Sequence, residues 1–276
     1  MLFQTGEMWT VKEEGGNQYL HTAVYAIDEE WSPSYGTVIE RDLAYRTSSK
    51  CPNIVDDLEE RNVRQYLQPI PLSSVYPSYP GHLKLLATDT PLGDYYIKYP
   101  ALANYYPEPA LDGVIPDEIA QALLAEAMIF EILRNSPHPH VLQYEGCIVH
   151  DGRIVALALP KLPEALRERL QDTIRPVMTP VEAAKIYEEV SAAVHHIHSL
   201  GLAHNDINPS NIMLRDDGTA VVIDFDSCVE EGGKLRKGGT MGWWLEGFVS
   251  EKRRDIHALG LLKIYLEDPA HAEPRG

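Results

Sequence analysis

The densest chemistry in this chain lies between residues 204 and 226. His204-Asn205-Asp206-Ile207-Asn208-Pro209-Ser210-Asn211 is followed, across a short β-rich stretch, by Asp224-Phe225-Asp226. Asp206, Asn211 and Asp224 are hard oxygen donors of the type and charge that suit Mg²⁺. Asp and Asn favour loops for their turn chemistry alone, so none of the three is informative by itself. The combination is informative, because a capped helix precedes it and a strand Lys and a helix Glu lie upstream.

The elements that must hold these residues can be read from capping and periodicity. Thr179-Pro180-Val181-Glu182 is a capping box with Pro at the first helical position, and it opens a helix expected to run to His198 and stop at Gly201. The loop His204 to Asn211 then leads into the hairpin Ile212 to Asp224, turned by Asp217-Gly218. Upstream, Ile119, Leu123, Ala127, Phe130 and Leu133 recur at three and four, which predicts a helix from Asp117 that ends before Ser136. Cys147 to Leu159 is a second hairpin pattern, turned by Asp151-Gly152. The runs His82 to Thr88 and Asp94 to Tyr99 read as an antiparallel hairpin that places Lys98 on a strand, followed by a Pro-rich loop, Pro100 to Pro116. A last amphipathic stretch covers Asp255 to Leu266.

The first 75 residues carry short β-like pieces (His21 to Ile27, Thr37 to Tyr45) and an acidic patch at Asp56 to Glu60, with no chemical motif. Pro69, Pro71, Pro77 and Pro80 make residues 69 to 81 read as a linker or an irregular entry into the next unit. Strands, helix, strands and then a mostly helical half with one inserted hairpin describe an α+β chain with two lobes.

Composition sets the outer bounds. The 276 residues are 44% hydrophobic and 24% charged, ordinary for a globular chain. A net charge of −17, from 24 Lys+Arg against 41 Asp+Glu, argues against nucleic acid and anionic membrane as partners. Cys51, Cys147 and Cys228 form no CxxC pair, so a reducing compartment is expected and neither a disulfide framework nor a zinc site. The N-terminus lacks a signal-peptide pattern and no apolar run reaches membrane length, so the expectation is a soluble intracellular protein, cytoplasmic or nuclear.

From Leu200 to Asp226 the series resembles the protein-kinase fold, in the fungal-type kinase-like group whose catalytic loop reads HNDINPxN and whose metal loop reads DFD; more loosely, the resemblance extends from Gly81 to Leu266. It implies a two-lobed α+β fold with an abbreviated C-terminal lobe: residues 1–75 an extension of unknown fold, 76–160 an N-lobe and 161–276 a short C-lobe. It implies ATP and Mg²⁺ as cofactors. Tyr96-Ile97-Lys98 matches the strand whose Lys holds the α- and β-phosphates and pairs with a helix Glu. Glu126 and Glu131 are the candidates for that Glu, and Glu126 is preferred because Ile129 and Phe130 follow it. Asp206 matches the residue that accepts the substrate hydroxyl proton, and Asn208 in the same loop is counted with it as catalytic. Asn211 and Asp224 match the metal positions, and Met213 is placed among the nucleotide-binding residues. Phe130, Tyr144, His204 and Phe225 fall where kinases stack an apolar column, and Asp255 matches a buried Asp that ties the last helix to the catalytic loop.

The implied activity is an ATP- and Mg²⁺-dependent phosphotransferase acting on a Ser or Thr hydroxyl of a protein. The alternatives are a kinase-like binding module of weak or absent activity, and a kinase for a small-molecule hydroxyl. Five departures accompany the match. Asn205 replaces the Arg that commonly answers a phosphorylated activation loop. Asn208 stands where Ser/Thr kinases place a Lys near the γ-phosphate. Asp226 replaces the Gly of DFG, Tyr96 replaces a small Ala near adenine, and no GxGxxG precedes Lys98. Gly238 to Glu251 resembles the end of a brief activation loop, without an assigned Glu of the APE type. His195, His196, His198 and His204 read as packing residues, and Trp243-Trp244 as core.

Overall fold

Backbone pairing starts at the N-terminus of the computed structural model, which describes residues 2–11, 17–38, 47–48, 51–55, 67–87, 90–105 and 117–268. Strands β1 (Leu2–Val11) and β2 (Asn17–Ile27) pair antiparallel, with a register shift between Met8 and Trp9. With β3 (Pro33–Val38), β4 (Thr47–Ser48), β5 (Cys51–Val55) and β6 (Gln68–Pro69) they form a six-stranded sheet in the order β4-β5-β1-β2-β3-β6. Residues 23–27 of β2 are all buried, as a central strand covered on both faces should be. The stretch expected to be a linker is packed instead: Ile70, Val75 and Tyr76, around the short helix α1 (Leu72–Val75), join Tyr25, Ile27 and Leu102 in one apolar cluster. The strand expected at Thr37 to Tyr45 is seen only in its first residues. The rest of it, the acidic patch at 56–60 and residues 106–116 of the Pro-rich loop lie outside the described residues.

Strand β7 (Tyr95–Lys98) does not pair with residues 82–87. After the helix α2 (Glu118–Asn135) come β8 (Gly146–His150) and β9 (Arg153–Pro160), and β7 pairs antiparallel with β9, in the sheet order β7-β9-β8. The β8–β9 turn is the expected one: Asp151 and Gly152 have φ of 47° and 73°, as a type I′ turn requires. The expected hairpin fails because Leu85 bridges Cys147 in parallel, through Leu86 N–H to Cys147 O at 2.9 Å and Cys147 N–H to Lys84 O at 2.7 Å. Gly146 makes this approach possible, since a Cβ there would stand 2.5 Å from the Leu86 nitrogen.

Downstream lie β10 (Glu164–Ala165), α3 (Leu166–Gln171) and α4 (Pro180–Ser199). The α4 capping box closes as read: Glu182 N–H donates to Thr179 Oγ1 at 3.2 Å, and Thr179 N–H donates to Glu182 Oε2 at 2.7 Å. Its buried stripe is Ala183, Ile186, Val190, Ala193, Val194 and Ile197, and Gly201 leaves the helix at φ 79°. Strand β11 (Leu202–Ala203) precedes the loop, the hairpin β12 (Ile212–Leu214) and β13 (Ala220–Val222) follows it, β14 (Val229–Glu230) pairs with β11, and α5 (Lys252–Glu267) is the last described helix.

The chain divides into two units, Met1–Pro80 with Tyr99–Leu124 and Ile148–Ala156, and Gly81–Lys98 with Ala125–Cys147 and Leu157–Gly276. Every candidate site residue belongs to the second unit. Among the described residues no helix is long and apolar enough to cross a membrane.

Candidate active site

Lys98 closes β7 opposite Leu157, and α2 presents Glu126 on the buried face that also carries Ala127, Phe130 and Leu133. Lys98 Nζ lies 2.6 Å from Glu126 Oε1 and 2.5 Å from Asp224 Oδ1. Burial works against the ammonium, but Glu126, Asp224 and Asp226 outweigh it and hold the Lys98 pKa well above its ordinary value. Glu126, 3% exposed, is pushed up by burial and by Asp224 and Asp226, against the pull of Lys98. Asp224 goes the other way: burial is overcome by Lys98, Lys237 and His204, which bring it down to about 2. The other sequence candidate, Glu131, has a different task. It accepts the Lys84 N–H at 2.5 Å, the Tyr144 hydroxyl and the Arg134 guanidinium, and so anchors residues 84–86 to α2.

The catalytic loop is suspended from Asp255 in the first turn of α5. This carboxylate, 0% exposed, accepts His204 N–H at 2.8 Å and Asn205 N–H at 2.7 Å, and lies 2.8 Å from His198 Nε2. Asn205 (φ 65°) and Asp224 (φ 63°) both sit in the left-handed region, where Asn and Asp are the most tolerant of the residues with a side chain. The Asn205 amide nitrogen donates to Ala203 O, Ser227 O and Ser250 Oγ at 2.8, 3.1 and 3.0 Å, so a neutral group joins three segments where the kinase pattern has an Arg. Its Oδ1 is buried without a hydrogen-bond partner among the described residues.

Both oxygens of Asp206 are engaged. Oδ1 accepts Thr240 N–H at 2.7 Å and Asn208 Nδ2 at 3.2 Å, and Oδ2 accepts Asn211 Nδ2 at 3.0 Å. Asn208 also donates to Thr240 Oγ1 at 3.1 Å and accepts Ser210 N–H, which locks its rotamer. With its nitrogen committed to Asp206, Asn211 has its amide oxygen to offer a cation. Asp224 and Asn211 are the residues whose oxygens could hold a divalent cation. Among the described residues no three His, Cys, Asp or Glu side chains converge as a preformed metal cluster.

Behind the loops, Phe130 stacks on Tyr144 at 5.1 Å and meets Phe225 edge-on at 5.3 Å, and Phe225 meets His204 at 5.2 Å. The four rings expected to stack form one column. His204 Nδ1 accepts Asp206 N–H at 3.3 Å and Nε2 faces Ile223 O at 2.9 Å, so both ring nitrogens serve the loop's geometry. Met213 lies between the buried Ile212 and Leu214 on β12, half-buried and on the opposite face of the strand.

Sequence reasoning missed Thr240, Lys237 and the role of Glu131. Lys237 Nζ pairs with Asp226 Oδ2 at 2.7 Å. The available signal was Gly238-Gly239-Thr240: a Cβ on Gly239 would stand 2.8 Å from Asn205 O and 3.4 Å from Asp206 Oδ1, so glycine lets this segment lie against the catalytic loop. The buried Arg254 donates to the Val249 and Leu245 carbonyls at the end of this segment.

A family model for the protein kinase domain matches residues 115–264, more than half of the chain. The chain belongs to the protein kinase family. Its mixed helix and strand content is that of the α+β protein-kinase fold. This kinase domain is 26% identical over 170 residues to the Serine/threonine-protein kinase ppk6 of Schizosaccharomyces pombe, covering 58% of this chain and 22% of that protein. To the Dual specificity testis-specific protein kinase 1 of Homo sapiens it is 27% identical over 159 residues, covering 52% and 25%. The chain therefore spans about a quarter of the length of these curated relatives. Among solved structures, the yeast RNA Pol II CTD kinase CTDK-1 complex matches 50% of this chain and 47% of that chain, with a TM-score of 0.45 and 16% identity.

Proposed function

We propose that this kinase domain transfers the γ-phosphoryl group of Mg²⁺-bound ATP to a Ser or Thr hydroxyl of a protein substrate. The observation that carries the reading is the placement of Lys98 between Glu126 and Asp224, at 2.6 and 2.5 Å. Phosphoryl transfer asks a protein for position and charge more than for covalent chemistry. Lys98 would bind the α- and β-phosphates, with Glu126 fixing its rotamer and Met213 beside the nucleotide. Asn211 and Asp224 would hold Mg²⁺, whose chemistry is to neutralise phosphate charge and orient the nucleotide. Asp206 would accept the hydroxyl proton, and its carboxylate is already aimed by Asn208, Asn211 and the Thr240 N–H. Asn208 thus acts through Asp206 as a positioning residue.

The named relatives include Ser/Thr kinases, which supports a hydroxyl acceptor on protein. The HNDINPxN and DFD loops support placement in the fungal-type kinase-like group, with residues 76–160 as N-lobe and 161–276 as C-lobe. Free, buried Cys147 and Cys228 accord with the reducing interior in which ATP is available. The test is transfer of label from γ-³²P-ATP to a generic protein acceptor or to the chain itself. Transfer that is lost in Asp206→Ala supports the reading. Labelling of small alcohols alone, or of nothing, sinks it in favour of a small-molecule kinase or a binding module.

A further inference from the structure

The site is rich in carboxylates and short of positive charge on the side of the acceptor. Glu126, Asp206, Asp224 and Asp226 gather there, Lys98 is committed to two of them, and the catalytic loop offers the neutral amide of Asn208. A second ammonium arrives from the activation segment. Lys237 Nζ is 2.7 Å from Asp226 Oδ2, and three residues later the Thr240 N–H donates to Asp206 Oδ1, also at 2.7 Å. Residues 237–240 are therefore tied at one end to the metal loop and at the other to the catalytic loop, with Gly239 keeping the intervening backbone against Asn205 and Asp206.

The Lys237 side chain is 47% exposed, so its ammonium has an open side. Its pKa is raised, burial being outweighed by Asp226, which it contacts, and by the charges of Asp224 and Asp206. Lys237 in turn helps to hold Asp224 ionised. A cation tethered to Asp226, three residues before the backbone that binds Asp206, is where a transferring phosphoryl group would need one, because its equatorial oxygens stay negative throughout transfer.

We propose that Lys237 is a catalytic residue: with ATP bound, its ammonium, tethered by Asp226, contacts the γ-phosphoryl oxygens and supplies from the activation segment the charge that the catalytic loop lacks at Asn208. The proposal rests on the phosphotransferase reading above. It also gives Asp226 a reason to stand where the kinase pattern has Gly. No proton or electron is exchanged, since the ammonium donates charge-assisted hydrogen bonds and keeps its charge.

The test is calorimetric titration of the full chain with Mg²⁺ and either the imido analogue of ATP or ADP, for the wild type, Lys237→Met, Lys237→Arg and Asp226→Asn. A lysine that touches the γ-phosphoryl group makes Lys237→Met lose about tenfold in affinity for the ATP analogue, the loss of about one charge-assisted hydrogen bond, with ADP binding within twofold of wild type. Arg restores most of the loss, and Asp226→Asn falls between. If Lys237→Met weakens both nucleotides equally, or neither, the proposal is overturned and Lys237 is only a surface tether for the segment. A wild type that binds neither nucleotide overturns the phosphotransferase reading and this proposal with it. Binding of both by the wild type with no selective Lys237 effect overturns this proposal alone.

Discussion

Replacing Glu126 by Gln keeps the volume of the side chain and removes its charge, which separates catalytic positioning from stability. In the wild type the Lys98 ammonium is shared between Glu126 Oε1 at 2.6 Å and Asp224 Oδ1 at 2.5 Å. Without the Glu126 charge, Lys98 should settle on Asp224 and, on the proposed function, compete there with Mg²⁺. A hydrogen bond to a charged group is worth about 1.5–3 kcal/mol, so kcat/KM should fall by about tenfold to a hundredfold, and the Mg²⁺ concentration for half-maximal activity should rise. Stability should change by less than about 1 kcal/mol, because Lys98 keeps one partner and a carboxylate that burial disfavours has been removed. Glu131→Gln is the contrast. It weakens the bonds to the Lys84 N–H, the Tyr144 hydroxyl and Arg134, so about 1–3 kcal/mol of stability is lost while nucleotide binding is kept. The assays are γ-³²P transfer at varied Mg²⁺ and urea unfolding followed by Trp fluorescence. Equal kcat/KM for wild type and Glu126→Gln, or the same kinetic loss in both variants, would refute the assignment of Lys98 to Glu126.

Three further outcomes follow from the same contacts. Glu131 is held below its ordinary value of 4.5, burial being outweighed by Tyr144, the Lys84 N–H and Arg134. A depressed carboxylate contributes stability that is present above 4.5 and lost as pH falls below it, so Glu131→Gln should flatten the acid limb of a stability-against-pH curve and leave its neutral part parallel to wild type. Asp255→Ala strands the buried N–H groups of His204 and Asn205 and should cost about 2–6 kcal/mol, a large part of a domain's stability, measured by chemical denaturation; a cost under about 1 kcal/mol would contradict the suspension of the loop from α5. Gly239→Ala puts a Cβ within 2.8 Å of the Asn205 carbonyl and should lower kcat with little change in melting temperature, as the segment carrying Thr240 is pushed off Asp206.

Local chemistry was the legible part of this chain. The capping box at Thr179 and Glu182, the stop at Gly201 and the turns at Asp151-Gly152 and Gly218 each depend on residues within a few positions of one another, and each formed as read. The loop from His204 to Asn211 was legible for the same reason, since its donors and acceptors lie two to five residues apart. Pairings between distant segments were not. Nothing near Leu85 announces that it bridges Cys147, because that contact is made possible by Gly146 and by Glu131 holding the Lys84 N–H from 47 residues away. Thr240 and Lys237 were missed likewise, as their partners Asp206 and Asp226 lie 34 and 11 residues back. The N-terminal sheet depends on β1 lying between β2 and β5, a choice made by register and burial that alternating residues alone do not specify.

The central claim is that Lys98 and Asp224 form a nucleotide and metal site. The most direct test is calorimetric titration of Mg²⁺-ATP into wild type, Lys98→Met and Asp224→Asn, with each variant first shown to be folded by its far-ultraviolet circular dichroism. Saturable binding by the wild type, weakened at least tenfold in Lys98→Met and stripped of its Mg²⁺ dependence in Asp224→Asn, is the result expected. Equal Mg²⁺-ATP affinity in all three folded proteins, or no binding by any, would contradict it.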